Sequence, residues 1–236
     1  MSSRLTAYLL VVAAVLANVG FVALGSIFNY PDVLAEPAGQ VLADFRDHEG
    51  AVSAWFSVLA LSAALMAPIA IGVGRLSRAR AMRVAIPVGI AAAVVQVVGL
   101  LRWPILVPGY AADAASGSAA VAAAARDSFT TASDILGTAI GETLGYLLTA
   151  TWTALVIVAL GRRFAGRWFV VLGGASAALV LVGVLSPLAL PVVDDANFLG
   201  YVLWSLWLIA FATVMLVRER RARTSPSTPN RAAVTS

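Results

Sequence analysis

The 236-residue chain has no cysteine and no lysine, and His48 is its single histidine. Without a thiol there is no disulfide, no iron–sulfur ligation, no Cys-bound zinc and no thiol redox chemistry, whichever compartment the loops face. One imidazole rules out a bis-histidine haem or a histidine-based metal triad within one chain. Charge is scarce as well, with Asp, Glu, Lys and Arg together making up 12% of the residues. Walker loops, GxSxG and HExxH are missing, so the familiar signatures of nucleotide, serine and zinc hydrolases are not there. Asp44, Asp47, His48 and Glu49 do crowd one stretch, but their spacing matches no metal motif. They read as a solvated acidic loop, and no metal and no cofactor is expected.

What is abundant is apolar. Hydrophobic residues make up 61% of the chain and the mean hydropathy is +0.91, against roughly 45–50% apolar residues in a soluble domain. A hydrocarbon core of about 30 Å takes about 20 apolar residues as helix. Six stretches qualify: 7–27, 52–73, 84–101, 136–160, 168–190 and 198–217. The expected fold is all-α, an integral membrane bundle of six transmembrane helices with short amphipathic helices in the outer loops. It forms one domain over residues 1–217, followed by a basic, disordered tail over 218–236. The first run could alternatively be a cleaved signal peptide, but it is longer than the ~7–15 residues of a typical h-region.

Assigning the connections alternately to two sides separates the charges. One side carries Arg4, Arg75, Arg78, Arg80, Arg83, Arg162, Arg163, Arg167 and the tail arginines, 13 of the 16. The other keeps Arg46, Arg102 and Arg126 together with ten of the twelve acidic residues. The positive-inside rule then places both termini in the cytoplasm. The same distribution accounts for a pI near 10.1 without nucleic acid, because the arginines lie at helix ends and in a tail. Arginine-only basic usage and a heavy Ala, Val and Leu load suggest a GC-rich bacterial genome, hence the bacterial cytoplasmic membrane. Between the first two spans, residues 37–48 place Val41, Leu42 and Phe45 on one face and Gln40, Asp44 and Asp47 on the other, a short amphipathic helix at the outer surface. Pro68 should kink the second span, and Pro104 should end the third near Arg102. The alanine run 119–125 predicts another outer helix.

Within helix four, Gly137, Gly141 and Gly145 recur every four residues and prepare one face for close packing, against another helix of the chain or against a second copy. At about 100° per residue, Glu142, Tyr146, Thr149 and Thr153 fall within an arc roughly 60° wide beside them. An ionisable residue inside a membrane helix is a functional-site hypothesis. Arg102, at the outer end of helix three, is within reach of it, and an ion pair between Arg102 and Glu142 is expected. Two readings of that pair stand: a lock between helices three and four, or part of a site for a solute, lipid group or proton. Gln96 lies about 120° around helix three from Arg102 and reads as an interhelical hydrogen bond or a ligand contact; Asn18, Thr149 and Thr153 read likewise. Tyr30, Trp55, Trp103, Tyr110, Tyr201 and Trp204 fall in the outer half, as an interfacial belt would, and mark where apolar walls and converging polar groups could form a cavity.

Three segments also carry a resemblance. Asn29-Tyr30-Pro31-Asp32-Val33-Leu34 with Pro37, then Gln96-Val97-Val98-Gly99-Leu100-Leu101-Arg102-Trp103-Pro104, then Gly141-Glu142-Thr143-Leu144-Gly145-Tyr146 with Thr149 and Trp152-Thr153, are similar to the hallmarks of a bacterial polytopic membrane family, domain of unknown function 4386. The resemblance runs from the first helix through the sixth. It implies six helices in one domain, draws attention to Arg102, Trp103, Glu142 and Tyr146, and implies no activity. The sequence therefore points to a membrane protein without catalytic residues, with a small-molecule or lipid-like ligand site in the outer half of helices three, four and six. Arg102, Glu142, Trp103, Tyr146, Gln96 and Asn29 are its candidate residues. Expected partners are the lipid bilayer, such a ligand, and a second copy through the glycine face. Alternatives are a small secondary transporter, an intramembrane enzyme using Glu142 as acid or base and Arg102 as anion clamp, or a structural membrane partner.

Overall fold

The computed structural model describes residues 2–188 and 190–224, which are helical almost throughout and include no strand. Helix α1 (Ser3–Phe28) starts where the Ser2 hydroxyl accepts the Leu5 N–H at 3.2 Å, and ends where Asn29 turns left-handed at φ 48°. A 3₁₀ turn (Asp32–Ala35) leads into α2 (Ala38–Asp47), which buries Val41, Leu42 and Phe45 as its amphipathic pattern predicts. The second span is α3 (Glu49–Ala64) followed by α4 (Met66–Gly74). Its break at Leu65 lies just before Pro68, which has no N–H to offer the Ala64 carbonyl.

The third span is α5 (Arg80–Ile105), with α6 (Val107–Ala114) beyond it. Pro104 lies in the last turn of α5, which ends at Ile105, close to the expected stop near Arg102; Leu106 caps it by donating to the Arg102 carbonyl at 2.8 Å, and the chain re-enters helix as α6. A proline costs one hydrogen bond and displaces one carbonyl, and a buried helix end tolerates that as a kink. The helix that carries the fourth span is longer than its apolar run: α7 (Ala119–Ala132), which includes the outer helix expected over the alanine run, a π-helical segment (Ser133–Leu144) and α8 (Gly145–Ala165) follow one another without a break, so the helix begins at residue 119, ahead of the apolar stretch from 136. Gly161 and Gly166, at φ 59° and 90°, release the chain from α8 into α9 (Arg167–Val182). A second 3₁₀ turn (Gly183–Leu188) precedes α10 (Pro191–Thr224). Residues 218–224, assigned above to the tail, are thus helical; the remainder of the expected disordered tail, 225–236, lies outside the described residues.

Six helices are long and apolar enough to cross a membrane, so the chain is a multi-pass membrane protein. They close a ring. Each span packs on the next in sequence, and α10 returns to α1. Asn18 donates to Ser205 Oγ at 2.9 Å across that closing contact, and Arg4 meets Glu219 at 3.1 Å near the chain ends.

Two apolar clusters fill the ring at opposite depths. The one at the end carrying the termini is built on Ile69, Trp152, Phe169, Trp207 and Phe211. The one at the distal end gathers Phe28, Phe45, Phe56, Trp103 and Phe129. Of the buried polar residues, Arg102 adjoins Trp103 of the distal cluster, and Thr153 adjoins Trp152 of the other.

Candidate functional site

The glycine ladder is met by a row on α5. A methyl group at Gly99 would lie 2.7 Å from the Gly141 Cα, one at Gly137 would lie 2.7 Å from the Arg102 guanidinium carbon, and one at Gly145 would lie 3.0 Å from Gln96 Cγ. Residues spaced by three on α5 thus seat into residues spaced by four on the fourth span, a ridge-into-groove match associated with shallow crossings of about 20°. Gln96 and Arg102 therefore address the same partner helix although they are some 120° apart around α5, because a ridge of residues three apart runs obliquely along its helix. It also means that the glycine face, open above to a second copy, is filled from within the chain.

The polar layer below this crossing is satisfied internally. Gln96 Nε2 donates to Thr149 Oγ1 at 2.8 Å, Thr153 Oγ1 donates to the Thr149 carbonyl at 2.9 Å, and Trp204 Nε1 donates to Thr153 Oγ1 at 2.9 Å. Of the two readings of Gln96, the interhelical hydrogen bond is the one the geometry realises. Tyr146 and Tyr201 face each other edge-on with ring centroids 5.8 Å apart, and Tyr201 continues to Trp204 at 6.1 Å.

Arg102 is 6% exposed. Its Nη1 donates to the carbonyl of Gly99, one turn back on its own helix, at 2.6 Å. Its Nε has no protein partner, and the guanidinium carbon stands 5.3 Å from the Trp103 ring centroid. The expected ion pair with Glu142 does not close: no Arg102 nitrogen lies within 4.0 Å of a Glu142 oxygen, although the two charges are near enough to be coupled electrostatically. The reason is local. The guanidinium is turned back along α5 to Gly99 and fills the space at Gly137, while Glu142 is left half-buried without a hydrogen bond among the described residues.

Trp103 is fully buried, not placed at a lipid interface. Phe56 stacks on it at 4.6 Å and 7°, and Phe28, Phe45 and Phe129 surround it at 5.2–6.0 Å. Its indole N–H has no protein acceptor. Asn29 is exposed and serves as the cap of α1, apart from the Arg102 cluster; its neighbour Tyr30 reaches inward instead, edge-on to Phe56 at 5.1 Å. Burial pushes the Tyr30 phenol above its ordinary range, with the Glu142 charge adding to the effect and the Arg102 charge opposing it. The structure thus brings Arg102, Trp103 and Gly137 together, keeps Glu142 nearby, turns Gln96 to Thr149, and leaves Asn29 outside.

Two further polar groups had no sequence signal that set them apart. Ser53, one turn from Phe56 on α3, and Ser133, one turn from Phe129 and from Gly137, are also buried without a protein partner. Ser133 lay in what the sequence presented as a loop.

Asp44 accepts from Gln40 Nε2 at 2.8 Å, and its carbonyl lies 3.3 Å from His48 Nδ1. Among the described residues no three acidic, His or Cys side chains converge as metal ligands would. A groove of about 490 Å³ lies at the distal end between α6 and the start of the fourth span, lined in part by Leu106, Tyr110, Asp127, Thr131, Ile135 and Leu136. A second hollow is lined by Arg80, Arg83, Val84 and Pro87.

The sequence model of a family described as Domain of unknown function (DUF4386) matches residues 5–212. The chain belongs to that family. No curated protein and no solved structure matches it.

Proposed function

We propose that this DUF4386 member is a non-enzymatic ligand-binding protein of the bacterial cytoplasmic membrane, with both termini cytoplasmic and a site for a small or lipid-like molecule in its outer half. The observation that carries the reading is Arg102. A guanidinium 94% removed from solvent, with no carboxylate within 4.0 Å and one nitrogen without a partner, is an expensive group to keep at membrane depth. A helix lock would be served as well by a closed ion pair, and Glu142 is near enough to have formed one. A charge held apart from its obvious partner has binding capacity to spare. Trp103, Tyr146 and Glu142 border it, with Gln96 fixing the register of α5 beneath.

Transport finds less support. Below Glu142 the hydroxyls of Thr149 and Thr153 are engaged with Gln96 and Trp204, and beneath them lies the apolar cluster around Trp152 and Trp207. A pathway would have to break both layers. The protein acts as a sensor or an accessory subunit on this reading.

The test is recovery of bound material. The full chain, solubilised in a mild detergent, is incubated with a lipid extract of its host membrane, separated from excess, and examined by native mass spectrometry. Wild type should retain an adduct that Arg102→Gln loses while eluting as the same species. Equal retention by both, or by neither, would sink the reading.

A further inference from the structure

Among the described residues six side-chain atoms lie buried without a protein partner, and four of them, Arg102 Nε, Trp103 Nε1, Ser53 Oγ and Ser133 Oγ, sit on elements that pack around Trp103. Contacts already described place them together. Phe56 stacks on Trp103, and Ser53 is one turn along α3 from Phe56. Phe129 packs edge-on to Trp103 and Gly137 receives the Arg102 guanidinium, while Ser133 sits midway between those two on one helical column. Arg102 and Trp103 are themselves adjacent, both more than nine-tenths buried.

The chemistry of the set is one-sided. A guanidinium and an indole N–H donate only, and a serine hydroxyl donates or accepts. One Arg102 donor is used on Gly99 and the others face a region whose nearest acid stays beyond 4.0 Å. Buried donors left unmade are costly, and charge-assisted bonds to an anion are the strong way to satisfy them. The groove supplies an approach: Leu106 is one turn beyond Arg102 on α5, and Leu136 precedes Gly137, against which the guanidinium lies. None of the four donors lines the groove itself, which also carries Asp127, so an anion would have to pass between Leu106 and Leu136 to reach them.

Resting on the ligand-site reading above, we infer that the ligand is anionic: a phosphate-type oxyanion, free or as a lipid headgroup, reached through the groove between α6 and the fourth span and held by Arg102, Trp103 Nε1 and Ser133. Glu142 then acts as the nearby counter-charge that limits how tightly the anion is kept.

The closing experiment is thermal unfolding of the full chain in neutral detergent with three probes: inorganic phosphate, a short-chain phosphatidic acid, and the diacylglycerol of the same chain length. At a hundredfold excess over Kd a bound anion should raise the midpoint by about 5–10 °C. A rise with phosphate identifies a free oxyanion, and a rise confined to phosphatidic acid identifies a headgroup; either supports the inference. Trp103→Phe and Ser133→Ala should be as stable as wild type or more so without anion, since an orphaned donor is removed, yet weaken the anion about tenfold or more. A purely structural role would lower the midpoint equally with and without anion, and that result overturns the inference. Stabilisation by diacylglycerol as large as by phosphatidic acid, abolished in Arg102→Gln, would overturn the anion class while leaving the site reading standing. No shift with any probe overturns the inference itself, and the adduct experiment then decides the site reading separately.

Discussion

Where the third and fourth spans cross, Gly99 and Gly141 touch backbone to backbone, and the outcome of adding one carbon there follows from the distances. In Gly99→Ala the new Cβ would lie 2.7 Å from the Gly141 Cα and 3.0 Å from the Leu136 carbonyl oxygen; in Gly141→Ala it would lie 3.0 Å from the Gly99 Cα. Neither obstacle is a flexible side-chain end, so the helices must separate. Overpacking of this kind costs about 1–3 kcal/mol, against a gain of up to about 1 kcal/mol from replacing a helical glycine by alanine. The net loss should be about 0–2 kcal/mol, with Gly99→Ala the worse. Gly145→Ala meets only Gln96 Cγ, at 3.0 Å, and should sit near zero. Gly174→Ala on α9 meets nothing within 4 Å and should be neutral or stabilising. Thermal unfolding of the four variants in one detergent, at about 2–4 °C per kcal/mol for a chain of this size, resolves the order. If Gly99→Ala proves as stable as Gly174→Ala, the close crossing is not there. Gly141→Leu, if the ladder served a second copy, would break an oligomer and spare the monomer; the crossing predicts instead that the monomer fails to fold.

Trp103→Ala removes the ring on which Phe28, Phe45, Phe56 and Phe129 converge, and should cost about 3–5 kcal/mol with proteolytic sensitivity appearing first in α2. Thr149→Val deprives Gln96 Nε2 of its 2.8 Å acceptor and should cost about 0.5–2 kcal/mol, most of it recovered in the Thr149→Val, Gln96→Leu pair, a double-mutant cycle that isolates the bond. Because the chain has no cysteine, single reporters are clean: Ser128→Cys should react with an impermeant maleimide from outside intact cells and Arg78→Cys only after permeabilisation, and the reverse pattern would invert the proposed topology. Arg4→Ala breaks the 3.1 Å contact with Glu219, but Arg4 is 45% exposed there and the loss should stay below about 1 kcal/mol and shrink in high salt.

Hydropathy and charge made the spans and α2 legible, because these rest on signals that each residue carries by itself or with neighbours three and four away, whereas the family was legible only in the resemblance of three short segments. The glycine ladder was legible as a packing face, since small residues at that spacing have few other uses in a membrane helix. Which helix would fill it was not, because Gly99 looks unremarkable until Gln96 and Arg102 flank it against the fourth span. Pro104 marked the end of α5 to within a residue, but the sequence did not show that the chain would re-enter helix at once as α6. Ser133 was lost to a boundary, since hydropathy alone began the fourth span at 136 and left the serine in a loop, when the helix had started at Ala119.

The expected contact between Arg102 and Glu142 assumed α-helical geometry, and that is where helix four departs from expectation. Five residues along an α-helix turn through about 500°, which leaves Glu142 about 140° around the axis from Gly137. Over Ser133–Leu144 the helix is π-type, with hydrogen bonds to the fifth residue and about 4.4 residues per turn, so Gly137 and Glu142 lie about 50° apart around the axis. The wide turn therefore carries the carboxylate toward the guanidinium seated at Gly137, where regular helix would have turned it away. Arg102 nonetheless spends its short 2.6 Å bond on the Gly99 carbonyl, and the pair stays open.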